Sequence, residues 1–90
     1  MKQKTFLVRN RLGLTARGAA TFVSTIKASK SVVWVDRDGE RRDGKNILEL
    51  LALAMPYGSK VTITVEGADE DAVMQQISDL IESELSLGEH

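Results

Sequence analysis

Apolar and polar residues alternate along KTFLVR (4–9), setting Phe6 and Val8 on one face and Thr5, Leu7 and Arg9 on the other. A two-residue period of this kind predicts a half-buried strand. The period then changes. From Ala16 to Lys27, the residues Ala19, Phe22, Val23 and Ile26 recur at steps of three and four, the spacing of a helix with one buried stripe. SVVWVDRDGERRD (31–43) returns to strand character around Asp38-Gly39, a pair suited to the positive φ values of a tight hairpin turn.

Asn46 is placed to cap a short helix, NILELLALA, with Glu49 three residues on to complete a capping box. Pro56 and Gly58 end that segment. KVTITVEG (60–67) alternates with Val61, Ile63 and Val65 inward, and Asp69 begins a last helix striped by Val73, Ile77, Leu80 and Ile81. The predicted order is β-α-β-β-α-β-α. Strands with a single apolar face want helices on that face only, which makes an α+β open-faced β-sandwich. One domain is expected over residues 1–85, with residues 86–90 as a frayed tail.

Composition narrows the chemistry. At 90 residues, 42% hydrophobic and 28% charged, the chain has room for one globular core. It has no Cys, which excludes disulfides, thiolate catalysis and zinc–sulfur sites. No His cluster or evident acid pair points to a hydrolase, and neither a metal nor a cofactor is expected. No apolar run is long enough to span a membrane, and the start MKQKTFLVRNR meets Arg too soon for a secretory signal, so a cytoplasmic protein is expected. Nucleic acid is a poor partner for a chain of pI about 5.8.

Net charge is only −1, yet the charges are segregated. Residues 1–60 carry all 12 Lys and Arg against 5 acids, a balance of +7. Residues 61–90 carry the other 8 acids and no Lys or Arg, a balance of −8. Two readings follow: a basic face that attracts acidic partners, or two parts of the chain that attract one another within the fold.

The stretch RLGLTARGAATFVS (11–24) reads as the entrance to a helix that presents backbone N–H groups beside a guanidinium. Thr15, Ala16, Arg17 and Gly18 form a candidate anion cradle; a capped helix with an exposed Arg is the plainer alternative. GLTARGAATFV (13–23), the strand–hairpin order, the short helix from Asn46, and YGSKVTITVEGADED (57–71) together resemble HPr. HPr is the small histidine phosphocarrier of the bacterial phosphoenolpyruvate:sugar phosphotransferase system. The resemblance covers nearly the whole chain. Its most specific part is the helix entrance, where the family reads close to G-L-H-x-R-P-A-A and Gly13, Leu14, Arg17, Ala19 and Ala20 match. It implies a four-stranded antiparallel sheet with three helices on one face.

The departures fall on the family's chemistry. Thr15 stands where the resemblance places the phosphorylated His, Gly18 where it places Pro, and Asn46 where many relatives carry a regulatory Ser. An imidazole nitrogen is a competent nucleophile near neutral pH and forms a labile P–N bond. A Thr hydroxyl is barely ionised, needs a general base, and yields a stable phosphate ester. His90, the only histidine, lies at the chain terminus and is set aside as a substitute acceptor.

The short helix is more apolar than one buried stripe requires, with Leu50 and Leu53 assigned to the core. Ile47, Leu48 and Leu51 match the positions through which HPr-like proteins meet enzyme I and other partners, and Ala20, Ser24 and Lys27 match the facing side of the first helix. Arg17, Lys27 and Lys45 surround that centre with positive charge, fitting an acidic partner. Strand parity points Leu7, Val32 and Trp34 out of the uncovered sheet face, with Thr62 and Thr64 between Leu7 and Trp34 under the family's strand order. These three form a candidate second interface, for a homodimer or another partner. The expected function is that of an HPr-family protein that docks phosphotransferase-system partners as a regulator or competitor without relaying phosphate. The alternatives are a phosphoacceptor modified at Thr15, and an oligomeric module outside the phosphotransferase system.

Overall fold

The computed structural model describes residues 1–9 and 14–82. Its elements are β1 (Lys2–Leu7), α1 (Ala16–Ile26), β2 (Val32–Arg37), β3 (Glu40–Asp43), α2 (Ile47–Leu53), β4 (Lys60–Glu66) and α3 (Glu70–Leu80). The strands make one antiparallel sheet in the order β1-β4-β2-β3. The hairpin between β2 and β3 turns on Asp38 (φ 51°) and Gly39 (φ 84°), the left-handed pair that a two-residue turn requires.

Inward residues explain the strand order. Val33 and Val35 of β2 and Val61, Ile63 and Val65 of β4 are buried, so these two strands belong in the centre. On the same face, Lys2 and Lys4 of β1 pair in register with Val65 and Ile63, and Arg42 of β3 pairs with Val35. Charged side chains on the inward face are tolerable only at sheet edges, where a long stem can reach water, and they discourage further strand pairing. Against the inner face pack Ala19, Phe22 and Ile26 of α1, Leu50 and Leu53 of α2, and Val73 and Ile77 of α3.

The edge lysines also account for part of the charge segregation. Lys2 Nζ lies 3.2 Å from Asp71, and Lys4 Nζ sits 5.3 Å from the Phe6 ring centre while donating to Ser78 Oγ at 3.4 Å. The N-terminal amine pairs with Glu70 at 2.6 Å. Basic β1 therefore docks along acidic α3, the internal attraction that the charge pattern allowed.

Several boundaries differ from the sequence reading. β1 runs from 2 to 7 rather than 4 to 9, because β4 supplies partners as far as Val65. Beyond Leu7 the pairing passes to a turn, with Val8 N–H donating to Ser59 O and Gly58 N–H to Val8 O, both at 2.8 Å. α1 ends at Ile26, with Lys27 as its C-cap. α2 stops at Leu53, where Ala54 turns left-handed (φ 53°) two residues before Pro56, and Met55 swings back into the core. The capping box is only half formed. Asn46 Oδ1 accepts from Leu48 N–H (3.0 Å) and Glu49 N–H (3.3 Å), but its own N–H donates to Asp43 O at 3.2 Å, leaving Glu49 nothing to return. The expected tail at 86–90, and with it the boundary at 85, lies outside the described residues.

Asp69 precedes α3 as expected, but its carboxylate does not cap that helix. It accepts from Lys30 N–H at 2.9 Å and from the Ser31 hydroxyl, tying the α1–β2 connection to the start of α3. These two hydrogen bonds hold the Asp69 pKa below its ordinary value, the backbone one contributing most. Glu70 is lowered as well, by the N-terminal amine and then by Gly67 N–H. Both shifts favour the ionised, folded form. Their stabilisation is present above the unfolded carboxylate pKa and is lost as pH falls through the folded value. Asp69→Asn is therefore expected to melt lower than wild type at neutral pH, with the gap closing in acid. Thermal melts of both proteins across that range test this; a constant gap would mean that Asp69 titrates alike in both states.

Candidate functional site

Three segments converge at the start of α1. Thr15 is extended (φ −91°, ψ 167°), and its Oγ1 accepts from Gly18 N–H at 3.1 Å, making it the helix N-cap. Its carbonyl accepts from Ala19 N–H at 2.9 Å. Leu14 N–H donates to Met55 O at 3.0 Å, which ties this entrance to the segment after α2. The bonds from Val8 to Gly58 and Ser59 bring in the end of β1. Residue 15 thus sits, half-buried, on a joint between β1, α1 and α2.

The four residues expected to cradle an anion do not contribute equally. Gly18 N–H is taken by the Thr15 hydroxyl, so the cradle narrows to the N–H groups of Ala16 and Arg17, which a helix leaves without internal acceptors. Arg17 is exposed beside them. Gly13, the other glycine of the motif, lies outside the described residues. Asn46 is exposed at the start of α2 with its amide oxygen committed to the cap. Among the described residues, no group of three or more His, Asp or Glu is arranged to hold a metal.

The expected docking residues separate into three kinds. Arg17, Ala20, Ser24 and Lys27 are exposed at steps of three and four along α1, which packs beside α2. Leu48 is 73% exposed and Leu51 37%, whereas Leu50 is buried as assigned. Ile47 is half-buried and packs against the core, so it contributes less to the surface than its neighbours. Lys45 is also half-buried, its ammonium donating to Ser29 O at 2.9 Å; it braces the α1–β2 connection. One exposed residue was missed: Tyr57, 63% exposed, in the turn that holds the end of β1. Its place between Pro56 and Gly58 was the available signal, since a turn residue is carried outward.

The second candidate interface divides. Register places Leu7 opposite Lys60, Trp34 opposite Thr64, and Val32 opposite Glu66. Leu7 and Val32 are therefore six β4 positions apart, about 20 Å at strand rise. Thr62 lies midway on the diagonal between Leu7 and Trp34, as expected, whereas Thr64 lies level with Trp34, directly between it and Gln3. Arg41 sits 5.5 Å from the Trp34 ring centre and is held by Asp36 at 2.9 Å, so part of the indole is already in use.

A family profile described as the PTS HPr component phosphorylation site matches residues 2–83. The chain belongs to the HPr family. Phosphocarrier protein HPr of Neisseria meningitidis serogroup A is 36% identical over 89 residues, spanning 99% of this chain and 100% of that one. The crystal structure of HPr-C-His from Thermoanaerobacter tengcongensis superposes with a TM-score of 0.87 at 37% identity, covering 92% of this chain and 93% of that one. That of Crh from Bacillus subtilis, described as a dimer with a swapping domain, gives 0.73 at 33% identity, covering 94% and 98%. This HPr-family chain shares the four-stranded, three-helix α+β fold. None of its described helices is long and apolar enough to cross a membrane.

Proposed function

We propose that this chain docks phosphotransferase-system partners of HPr and regulates or competes for them, without relaying phosphate through residue 15. The observation that carries this reading is the use of the Thr15 hydroxyl as the α1 cap beside an intact exposed surface at Leu48 and Leu51. The side chain at the family's acceptor position stabilises the helix and offers no nitrogen for a transferable phosphoryl group. Arg17 and Lys27 supply the positive rim for an acidic partner, and Asn46 holds the unmodified, uncharged state at the regulatory position.

Two measurements test it. NMR titration with the amino-terminal half of enzyme I is expected to shift Arg17, Leu48 and Leu51, and Leu48→Ala is expected to weaken binding about tenfold or more, as for a central apolar contact. An unchanged spectrum would remove the docking role. Incubation with enzyme I and phosphoenolpyruvate, followed by intact mass before and after acid, is expected to show no acid-labile adduct. An acid-stable adduct would instead support a phosphoester at Thr15. A homodimer is a second reading, favoured by the dimer described for Crh. Light scattering over a concentration series distinguishes it, and a monomer throughout leaves the surface to other proteins.

A further inference from the structure

The core does not close completely behind Thr15. A cavity of about 80 Å³ lies among the end of β1, the first turns of α1, α2 and the end of α3. Its lining is almost wholly apolar and includes Val8, Leu14, Phe22, Val61 and Ile81; Gly18 lines it without a side chain to fill it. Among the described residues, the polar ones of the lining are Arg9 and Thr15. Arg9 is exposed and brings a permanent positive charge. The Thr15 oxygen already accepts from Gly18 N–H, which leaves the hydroxyl proton to donate elsewhere. The chamber thus has apolar walls, with a cationic residue and a hydroxyl-bearing residue among those that line it.

We propose that this cavity binds a small amphipathic carboxylate, a short branched-chain acid whose tail fills the chamber and whose carboxylate pairs with Arg9 and the Thr15 hydroxyl. Size supports the class. An engineered apolar cavity of about 150 Å³ admits benzene, so a chamber about half as large suits a tail of about three to five carbons. Charge sets the sign of the head group, since Arg9 favours an anion over an amide or alcohol. The site lies on the joint between β1, α1 and α2, and the inference does not rest on the docking role of Leu48 and Leu51.

The test is an NMR titration of the full chain with acetate, propanoate, butanoate, 3-methylbutanoate and 4-methylpentanoate, with 3-methylbutanamide as the uncharged control. Affinity is expected to climb about fourfold for each buried carbon and to stop climbing once the chamber is full. The methyl groups of Val8, Leu14, Val61 and Ile81 should shift. Arg9→Gln should lower affinity for the acid about threefold to fivefold, the size of one exposed charge pair, and leave the amide unaffected. Gly18→Leu, which fills the chamber and suits a helix, should abolish binding. Val61→Ile, a smaller filling in a strand that favours branched residues, should weaken it independently if the first variant disturbs α1. A series flat in chain length, equal binding of acid and amide, or shifts confined to exposed Leu48 and Leu51 would each overturn the proposal.

Discussion

Replacing Thr15 with histidine is expected to give a chain that takes a phosphoryl group from enzyme I and phosphoenolpyruvate and releases it in acid. The gain should be at least about a hundredfold over background, since it supplies a competent nucleophile in place of one needing a general base. The cost is the α1 cap, about 1 kcal/mol for loss of the Thr15 hydroxyl bond to Gly18 N–H. A domain of ordinary stability, about 5–15 kcal/mol, survives that loss. The variant should also be made with proline at position 18. A capping hydroxyl at 15 needs an N–H three residues on, which proline lacks, whereas an imidazole acceptor leaves that N–H idle. The two departures from the family motif are thus one unit, and their combined effect should not be the sum of the separate ones. Intact mass with and without acid is the readout. If Thr15→His still binds enzyme I but gains no adduct, the geometry around residue 15, rather than its chemistry, blocks transfer.

What the sequence showed and what it hid divide along a physical line. Patterns within one element were legible: the parity of Val61, Ile63 and Val65, the Ala19–Phe22–Ile26 stripe, and the burial of Leu50 and Leu53 against the exposure of Leu48 and Leu51 all appear in the fold. Features set between distant elements were not. Lys2 fell outside the strand read at 4–9, and only the edge position of β1 beside α3 makes the inward direction of Lys2 and Lys4 tolerable. Register separated Leu7 from Trp34, since alternation fixes a face but not the position along it. Asp69 and Lys45 looked local or free and instead bind the connection after α1. At the site itself, the resemblance identified residue 15 as the departure and a capped helix was among the readings, while the choice of Gly18 N–H as the capped donor and the cavity behind it required three-dimensional placement.

Gly67→Ala is expected to be among the most damaging single changes in the protein. Gly67 has φ +157°, a conformation that L side chains rarely adopt. A Cβ there would lie 2.6 Å from both Ser31 Cα and Ser31 Oγ. The first of these atoms is backbone and cannot rotate away. The second donates to Asp69, so moving Ser31 would also break the link between the α1–β2 connection and α3. Gly67 N–H donates to Glu70 Oε1 at 3.1 Å, which further restricts relaxation of the turn. Backbone strain of about 1–3 kcal/mol and overpacking of about 1–3 kcal/mol together give a loss of about 2–6 kcal/mol. Gly58 is the internal control: its φ is +88°, but nothing lies within 4 Å of an added Cβ, so Gly58→Ala should cost only about 1–2 kcal/mol of backbone strain. Urea denaturation of both variants, compared at unchanged slope, measures the difference. The larger loss should also bring a weaker acid dependence, because a displaced Ser31 no longer favours the ionised Asp69. Equal losses at the two glycines would show that Ser31 moves cheaply and that its bond to Asp69 does not lock the two connections together.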